Sequence, residues 1–226
     1  IKYQQNMIKN NLHDIEIKIS DDLIDYEESL NLMQSRIKKI KDSESSELIW
    51  FLEHDHIYTQ GTSAESNEIV KKNNILILKS NRGGKTTYHG PGQRVIYFLI
   101  DLNKKKKDIR RFISVLENSV IYLLSLYGVK ARSFKDRVGI WVTETENIKL
   151  KKEMKIGAIG LRISKWITYH GLSVNINPDL KYYDYINACG LKNYKNTSLQ
   201  ELGLKVSKEE FDKKFLNIFL EKLSKI

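Results

Sequence analysis

The chain of 226 residues carries 38 Lys and Arg against 28 Asp and Glu, a net charge of +10, with 41% apolar and 29% charged residues. That composition excludes intrinsic disorder as the main description. No apolar run approaches the ~20 residues of a bilayer crossing, and the single Cys excludes an internal disulfide or a multi-cysteine zinc or iron–sulfur site. The cationic surplus calls for an acidic partner without saying whether it is nucleic acid, anionic lipid or protein.

Ile1 to Asn11 is polar, has no signal-peptide core and starts without an initiator methionine, as a trimmed chain would; the expected compartment is reducing cytoplasm. Ser20-Asp21-Asp22 offers cap chemistry ahead of Leu23, Tyr26, Leu30, Met33 and Ile37. Their spacing by threes and fours predicts an amphipathic helix ending near Lys41. Leu48 to Leu52 and Ile75 to Leu78 read as short buried strands, Arg82 to Gln93 as a glycine-rich loop, and Val95 to Leu102 as the strand leaving it. A second helix is predicted from Asp108 to Tyr127, stopped by Gly128. Strands follow around Val138–Val142, Met154–Ile163 and Ile167–Val174, then a helical turn at Asp179–Tyr185 and a closing helix from Ser207 to Leu223. Strands clustered between helices predict an α+β fold with a mixed central sheet flanked by helices. The chain reads as one domain, 1–226, with a core at about 20–205 and a last helix, 207–223, that can form a small lobe.

Three segments stand out chemically. Arg82-Gly83-Gly84-Lys85-Thr86-Thr87-Tyr88-His89-Gly90-Pro91-Gly92-Gln93 holds four of the chain's 12 Gly and can wrap a ligand closely. Gly84-Lys85-Thr86 looks like the tail of a phosphate-binding loop, but Lys79 stands where the motif needs Gly, and a strand follows where it needs a helix. In Lys155-Ile156-Gly157-Ala158-Ile159-Gly160 the small residues leave room beside a strand, and Lys155 sits in an otherwise apolar run. A Lys desolvated there has a lowered pKa and can serve as a base, whereas one snorkelling to solvent is inert. Cys189, between Ala188 and Gly190, is the third: a loop thiol that becomes nucleophilic if a cation or base stands beside it. His54 and His56 lie two apart without a carboxylate–His cluster to complete a metal site, and His89 and His170 each adjoin Gly. The basic runs Lys104–Lys107 and Lys149, Lys151, Lys152 read as solvated faces able to steer an acidic protein. No Gly-x-Ser-x-Gly elbow, RNA-recognition or zinc-finger signature accompanies them.

Taken in order, Glu53-His54, Tyr58-Thr59-Gln60-Gly61, the Arg82–Gln93 loop, Gly139-Ile140-Trp141-Val142, Lys155–Gly160, His170-Gly171-Leu172-Ser173-Val174-Asn175 and Asn187-Ala188-Cys189-Gly190 resemble the lipoyl/octanoyl transferase family, LipB. The resemblance covers about 48–202. It implies the fold of biotin and lipoate protein ligases, shared with class II aminoacyl-tRNA synthetases. It also implies transfer of octanoyl from acyl carrier protein to a lysine of lipoyl domains, those of 2-oxoacid dehydrogenase and glycine cleavage complexes. Carried over by position, Cys189 would be the acyl-accepting nucleophile and Lys155 the residue that lowers its pKa. Arg82 to His89, Ala158-Ile159-Gly160 and Gly171-Leu172-Ser173 would line the acyl pocket. No metal or cofactor is implied, and neither nucleic acid nor membrane is an expected partner. Carrier proteins and lipoyl domains are typically acidic, which suits the positive charge.

Ala188 stands where the family usually has Pro, Lys85 where a neutral residue is common, and Ser173 where Ala is common; none of these removes a reactive group. The competing readings are an ATP-dependent lipoate or biotin ligase, a transferase passing octanoyl between lipoyl domains, and, on charge alone, a basic nucleic-acid-binding module.

Overall fold

The computed structural model describes residues 4–10, 13–71, 73–146, 148–187 and 194–226, with side chains from Ile15 onward. Strands β1 (Gln4–Asn10) and β2 (His13–Ile24) form a hairpin, followed by helix α1 (Tyr26–Lys41) and strands β3 (Glu47–His54) and β4 (Ile57–Gln60). Next come β5 (Leu76–Lys79), β6 (Thr86–His89), β7 (Gln93–Leu99), helix α2 (Ile109–Ser125), β8 (Val129–Arg132) and β9 (Ile140–Thr145). The chain closes with β10 (Met154–Ser164), β11 (Ile167–Asn175), β12 (Lys195–Asn196) and helix α3 (Lys208–Leu223).

The main sheet runs β1-β2-β3-β7-β11-β10-β9-β8, with β12 added in parallel to β10, and is mixed because β2 and β3 are also parallel. A small sheet, β5-β4-β6, stands apart. Side-chain alternation divides the central strands between two cores. Ile49, Phe51, Ile96, Phe98, Leu172 and Val174 face one way and pack with Phe112, Leu116, Phe211, Phe215 and Phe219 of α2 and α3. Leu48, Trp50, Leu52, Val95, Tyr97, Leu99 and Tyr169 face the other way and pack with Met33, Ile37 and Ile40 of α1. The architecture is α+β, a mixed sheet between helices, and α3 belongs to the larger core rather than to a separate lobe. Among the described residues no helix is long and apolar enough to cross a membrane.

Several expected boundaries move. Ser20-Asp21-Asp22 does not cap α1; β2 continues through them because Leu23 and Ile24 pair with Glu53 and His54, and Asp25 is the cap, accepting from Glu28 N–H at 2.9 Å. The segment expected as a buried strand near 75–78 is an edge strand with Leu76 and Ile77 exposed. Thr86–His89, expected within a loop, is a fully buried strand paired with β4. In the run Lys104–Lys107, Lys105 is not solvated: its Nζ lies 3.3 Å from Glu47 and both side chains are buried. The 179–185 turn is a 3₁₀ segment, and β1, β2, β4 and β8 are strands the periodicity reading passed over.

Arg94 of β7, 0% exposed, holds Asp212 of α3 through Nε at 2.9 Å and Nη2 at 2.5 Å. A buried charge left alone costs about 3–5 kcal/mol. Asp212→Ala is therefore expected to lower the urea unfolding free energy by about that amount, and Arg94→Met combined with Asp212→Leu to recover most of it.

Candidate active site

A slot of about 400 Å³ opens on the α1 side of the main sheet, a size ordinary for small-molecule sites. Its floor is the pair β10–β11, where Ala158 faces Ser173 and Gly160 faces Gly171. Its walls are Thr87 and His89 of β6, Val95 and Tyr97 of β7, Tyr26 at the start of α1, and the 136–138 loop. Small residues on the floor leave the space; larger side chains there would fill it.

Two irregularities put polar side chains into this slot. In β10 the register with β9 shifts between Lys155 and Gly157. Without that bulge, residues 155 and 158 would point to opposite faces. With it, Ile156 stays in the large core with Ile159, and Lys155 shares the slot with Ala158 and Gly160. In β11, His170 has φ +57°, the left-handed region that costs a non-glycine residue about 1–2 kcal/mol. Alternation would send its side chain to the face of Leu172. Instead its N–H meets the Met33 sulfur at 3.3 Å, its Nε2 meets Asn81 at 2.8 Å, and its ring stacks beside Tyr169.

Arg82 fixes the glycine-rich segment above the floor. Its Nε and Nη2 donate to Thr59 Oγ1 at 3.1 and 2.8 Å, and Nη2 also reaches the carbonyls of Thr59 (2.6 Å) and Lys85 (2.8 Å). Nη1 donates to the Gly83 carbonyl at 3.0 Å. Gly83 N–H in turn bonds the Leu161 carbonyl, joining loop to floor. Lys85 pairs with Glu65 and with buried Glu68, whose Oε2 accepts from Thr86 N–H at 2.8 Å.

The end opposite Lys155 is aromatic, and its imidazoles are uncharged. His54 Nδ1 lies 2.7 Å from the Ile24 carbonyl, so that nitrogen carries the proton and Nε2 accepts from Tyr97 O–H at 2.7 Å. His89 Nδ1 faces Gln93 Oε1 at 2.6 Å, and its ring stacks over Tyr26 at 6.0 Å. Burial lowers all three histidines: His54 to about 4, His170 to about 3 with help from the Arg82 charge, and His89 well below its ordinary value, the His54 and Arg82 charges adding to burial there. Each is a neutral imidazole at physiological pH.

Lys155, 5% exposed, occupies the other end, its Nζ 5.6 Å from the centroid of Trp141. Gly139, at φ +127°, makes way for it: a Cβ there would stand 2.5 Å from Lys155 Cε. Tyr194 packs on Trp141 at 4.9 Å and accepts from Arg137 Nη1 at 2.6 Å; β12 then pairs Asn196 with Lys155. On the far side, Asn187 N–H donates to the Glu68 carbonyl at 2.7 Å. Cys189 lies between these anchors in sequence, outside the described residues, as does Ala188.

Of the expected pocket residues, the structure gathers Arg82, Gly84, Lys85, Thr87, His89, Lys155, Ala158, Ile159, Gly160, Gly171, Leu172 and Ser173 around the slot. It does not bring Thr86 or Tyr88 there. Strand alternation turns both to the opposite face of β6, where Tyr88 O–H meets His56 Nδ1 at 2.7 Å and its ring stacks on Tyr182. Gly83 contributes backbone contact with β10 rather than lining. Sequence reasoning missed Tyr26 and Tyr97, from elements read only for their apolar periodicity, and Arg137, from a loop given no reading. For Tyr26 and Tyr97 the available signal was a hydroxyl on the apolar face of a helix or strand; Arg137, in a loop, left none.

A family model described as the lipoyl protein ligase A/B catalytic domain matches residues 25–220. An octanoyltransferase of Bartonella tribocorum is 43% identical over 202 residues, 88% of this chain and 82% of that protein. One of Zymomonas mobilis is 42% identical over 205 residues, 91% of this chain and 93% of the relative. Among solved structures, a bi-partite lipoate protein ligase of Thermoplasma acidophilum matches with a TM-score of 0.59 at 17% identity, covering 86% of this chain and 80% of that one. A lipoate-protein ligase A bound with ATP matches with a TM-score of 0.60 at 18% identity, covering 89% and 84%. At those identities the solved structures establish the fold alone.

Unfolded imidazoles titrate near 6.5, above the folded values of about 4 and 3 for His54 and His170, so the unfolded chain binds protons first as pH falls. Stability is expected to be complete above about pH 6.5 and to drop toward pH 4 by on the order of 1 kcal/mol per pH unit per histidine. Urea midpoints across that range check this, and His54→Gln should flatten the slope.

Proposed function

The chain belongs to the lipoyl protein ligase A/B catalytic-domain family and is an acyltransferase of the octanoyl class, and we propose that it moves octanoyl by way of a thioester on Cys189. The donor in this reading is octanoyl-acyl carrier protein, the acceptor is a lysine of a lipoyl domain, and the setting is the cytoplasm. The slot is the observation that carries it: small residues leave a channel, the imidazoles at its far end are neutral, and a lysine stands at the other. Gly157↔Val174 and Leu161↔His170 lie four residues apart on β10, about 13 Å of strand, enough for a medium-length acyl chain to lie extended.

Cys189 thiolate attacks the donor's thioester carbonyl, the carrier's thiol leaves, and the acyl group rests on the enzyme sulfur. The acceptor lysine, after losing a proton, attacks that carbonyl; an amide forms and the thiolate returns as leaving group. Lys155 is the cation that favours thiolate; it gives its proton to the departing carrier thiolate and, then neutral, takes the proton released from the acceptor nitrogen as the amide forms, which restores ammonium and thiolate. Exchange between thioesters is nearly isoenergetic, so no ATP enters. Arg82 and its clamped loop roof the chain, and His89, Tyr26, Tyr97 and His170 close its far end.

Mixing with octanoyl-acyl carrier protein without ATP is expected to add one octanoyl to the protein's intact mass, on the peptide containing Cys189. Transfer at the wild-type rate by Cys189→Ser would refute the covalent route, and an absolute requirement for ATP would favour a ligase. Lys155→Met should shift the pH profile of thiol alkylation upward. Ala158→Phe should block the floor: kcat/KM falls at least about tenfold with an octanoyl donor and changes little with a four-carbon one.

A further inference from the structure

The geometry points to the cation-and-aromatic face at the Lys155 end of the slot as the docking surface for an acidic carrier protein that presents the acyl thioester. This rests on the octanoyltransferase reading and adds where the donor lands. Arg137 joins face to slot: it lines the slot while its guanidinium lies 3.7 Å from the Phe134 centroid and 4.7 Å from that of Tyr194. From those rings the cluster runs outward, with Arg132 5.7 Å from Phe134 and Lys152 4.1 Å from Tyr194. Lys135 and Lys151 are exposed on the same loops, and Lys195 is exposed on β12. Against these cations stand Asp136 and Glu153, which reach Arg137 at 4.0 and 3.6 Å and leave the face strongly positive. Val138, 61% exposed, lines the slot mouth and puts an apolar contact inside the basic rim.

The donor is the partner that must thread its acyl chain into the slot while its carrier stays outside, so the carrier needs a fixed hold beside the opening. The acceptor lysine, though carried by a lipoyl domain, threads nothing into the slot: only its amine has to reach the finished thioester. Complementary charge at such a hold acts mainly on encounter and is weakened by salt.

Lys135→Glu combined with Lys151→Glu tests this without altering a slot residue, read as kcat/KM with octanoyl-acyl carrier protein and with octanoyl-pantetheine, which has no protein part. The expected result is a loss of at least about tenfold with the carrier, a change within about twofold with the small thioester, and a flatter salt dependence. Lys104→Glu with Lys106→Glu, on the loop that packs at the opposite end of β10 through Leu102 N–H and the Trp166 carbonyl, should change neither. An equal loss with both donors, no loss with the carrier, or a loss confined to transfer from preformed acyl-enzyme to a lipoyl domain would each overturn the assignment. Wild-type protein that uses neither donor would instead overturn the transferase reading beneath it.

Discussion

One guanidinium holds the slot together. Arg82 sits where β4, the glycine-rich turn and the floor strands converge, and it saturates the carbonyls and hydroxyl that those backbones present. A turn rich in glycine loses much entropy on ordering. Here the ordering is driven from inside, by a buried cation whose alternative is an unsolvated charge. The roof of the slot is therefore tied to β4 and to the sheet beneath it, although its sequence reads as a loop.

The same economy governs the closed end. Tyr26, His54, His89, Tyr97 and His170 are polar in name, yet most of their polar atoms point at protein partners: Ser80, the Ile24 carbonyl, Gln93 and Asn81. Burial keeps the imidazoles uncharged, so what faces the cavity is largely ring surface. Such a wall suits an apolar chain while the hydrogen bonds behind it hold each ring at a fixed angle, a combination a purely aliphatic wall does not give.

The parts legible in the sequence were those written as continuous apolar runs. β3, β7 and β11 and the helices α2 and α3 emerge close to their observed limits, because burial on one or both faces leaves a periodic trace. The cap signal at Ser20-Asp21-Asp22 misled because cross-strand pairing with β3 extends β2 past it, and pairing is a tertiary fact. Ile15, Ile17 and Ile19 did alternate with Glu16 and Lys18 as a strand should. At the site, resemblance pointed to segments that border the slot, but which strand side chains point inward was decided by alternation. That turned Thr86 and Tyr88 away and brought in Tyr97 from a strand with no motif of its own, while Arg137 enters from the loop before β9. The left-handed turn at His170 leaves no local signature, since nothing about a histidine before a glycine announces it.

The offset in β10 has a consequence for how this protein tolerates change. The position of the lysine is set by residue count, one extra between the pairing at Lys155 and that at Gly157, rather than by any property of the lysine itself. Conservative exchanges along the strand leave that count intact. Loss of a single codon between Ile156 and Ile159 would not: the ammonium would swing into the hydrocarbon beside Ile140 and Val174, and an isoleucine would take its place in the channel. Length variation in this strand is thus far more damaging than substitution, and tolerated insertions belong in the loops on either side.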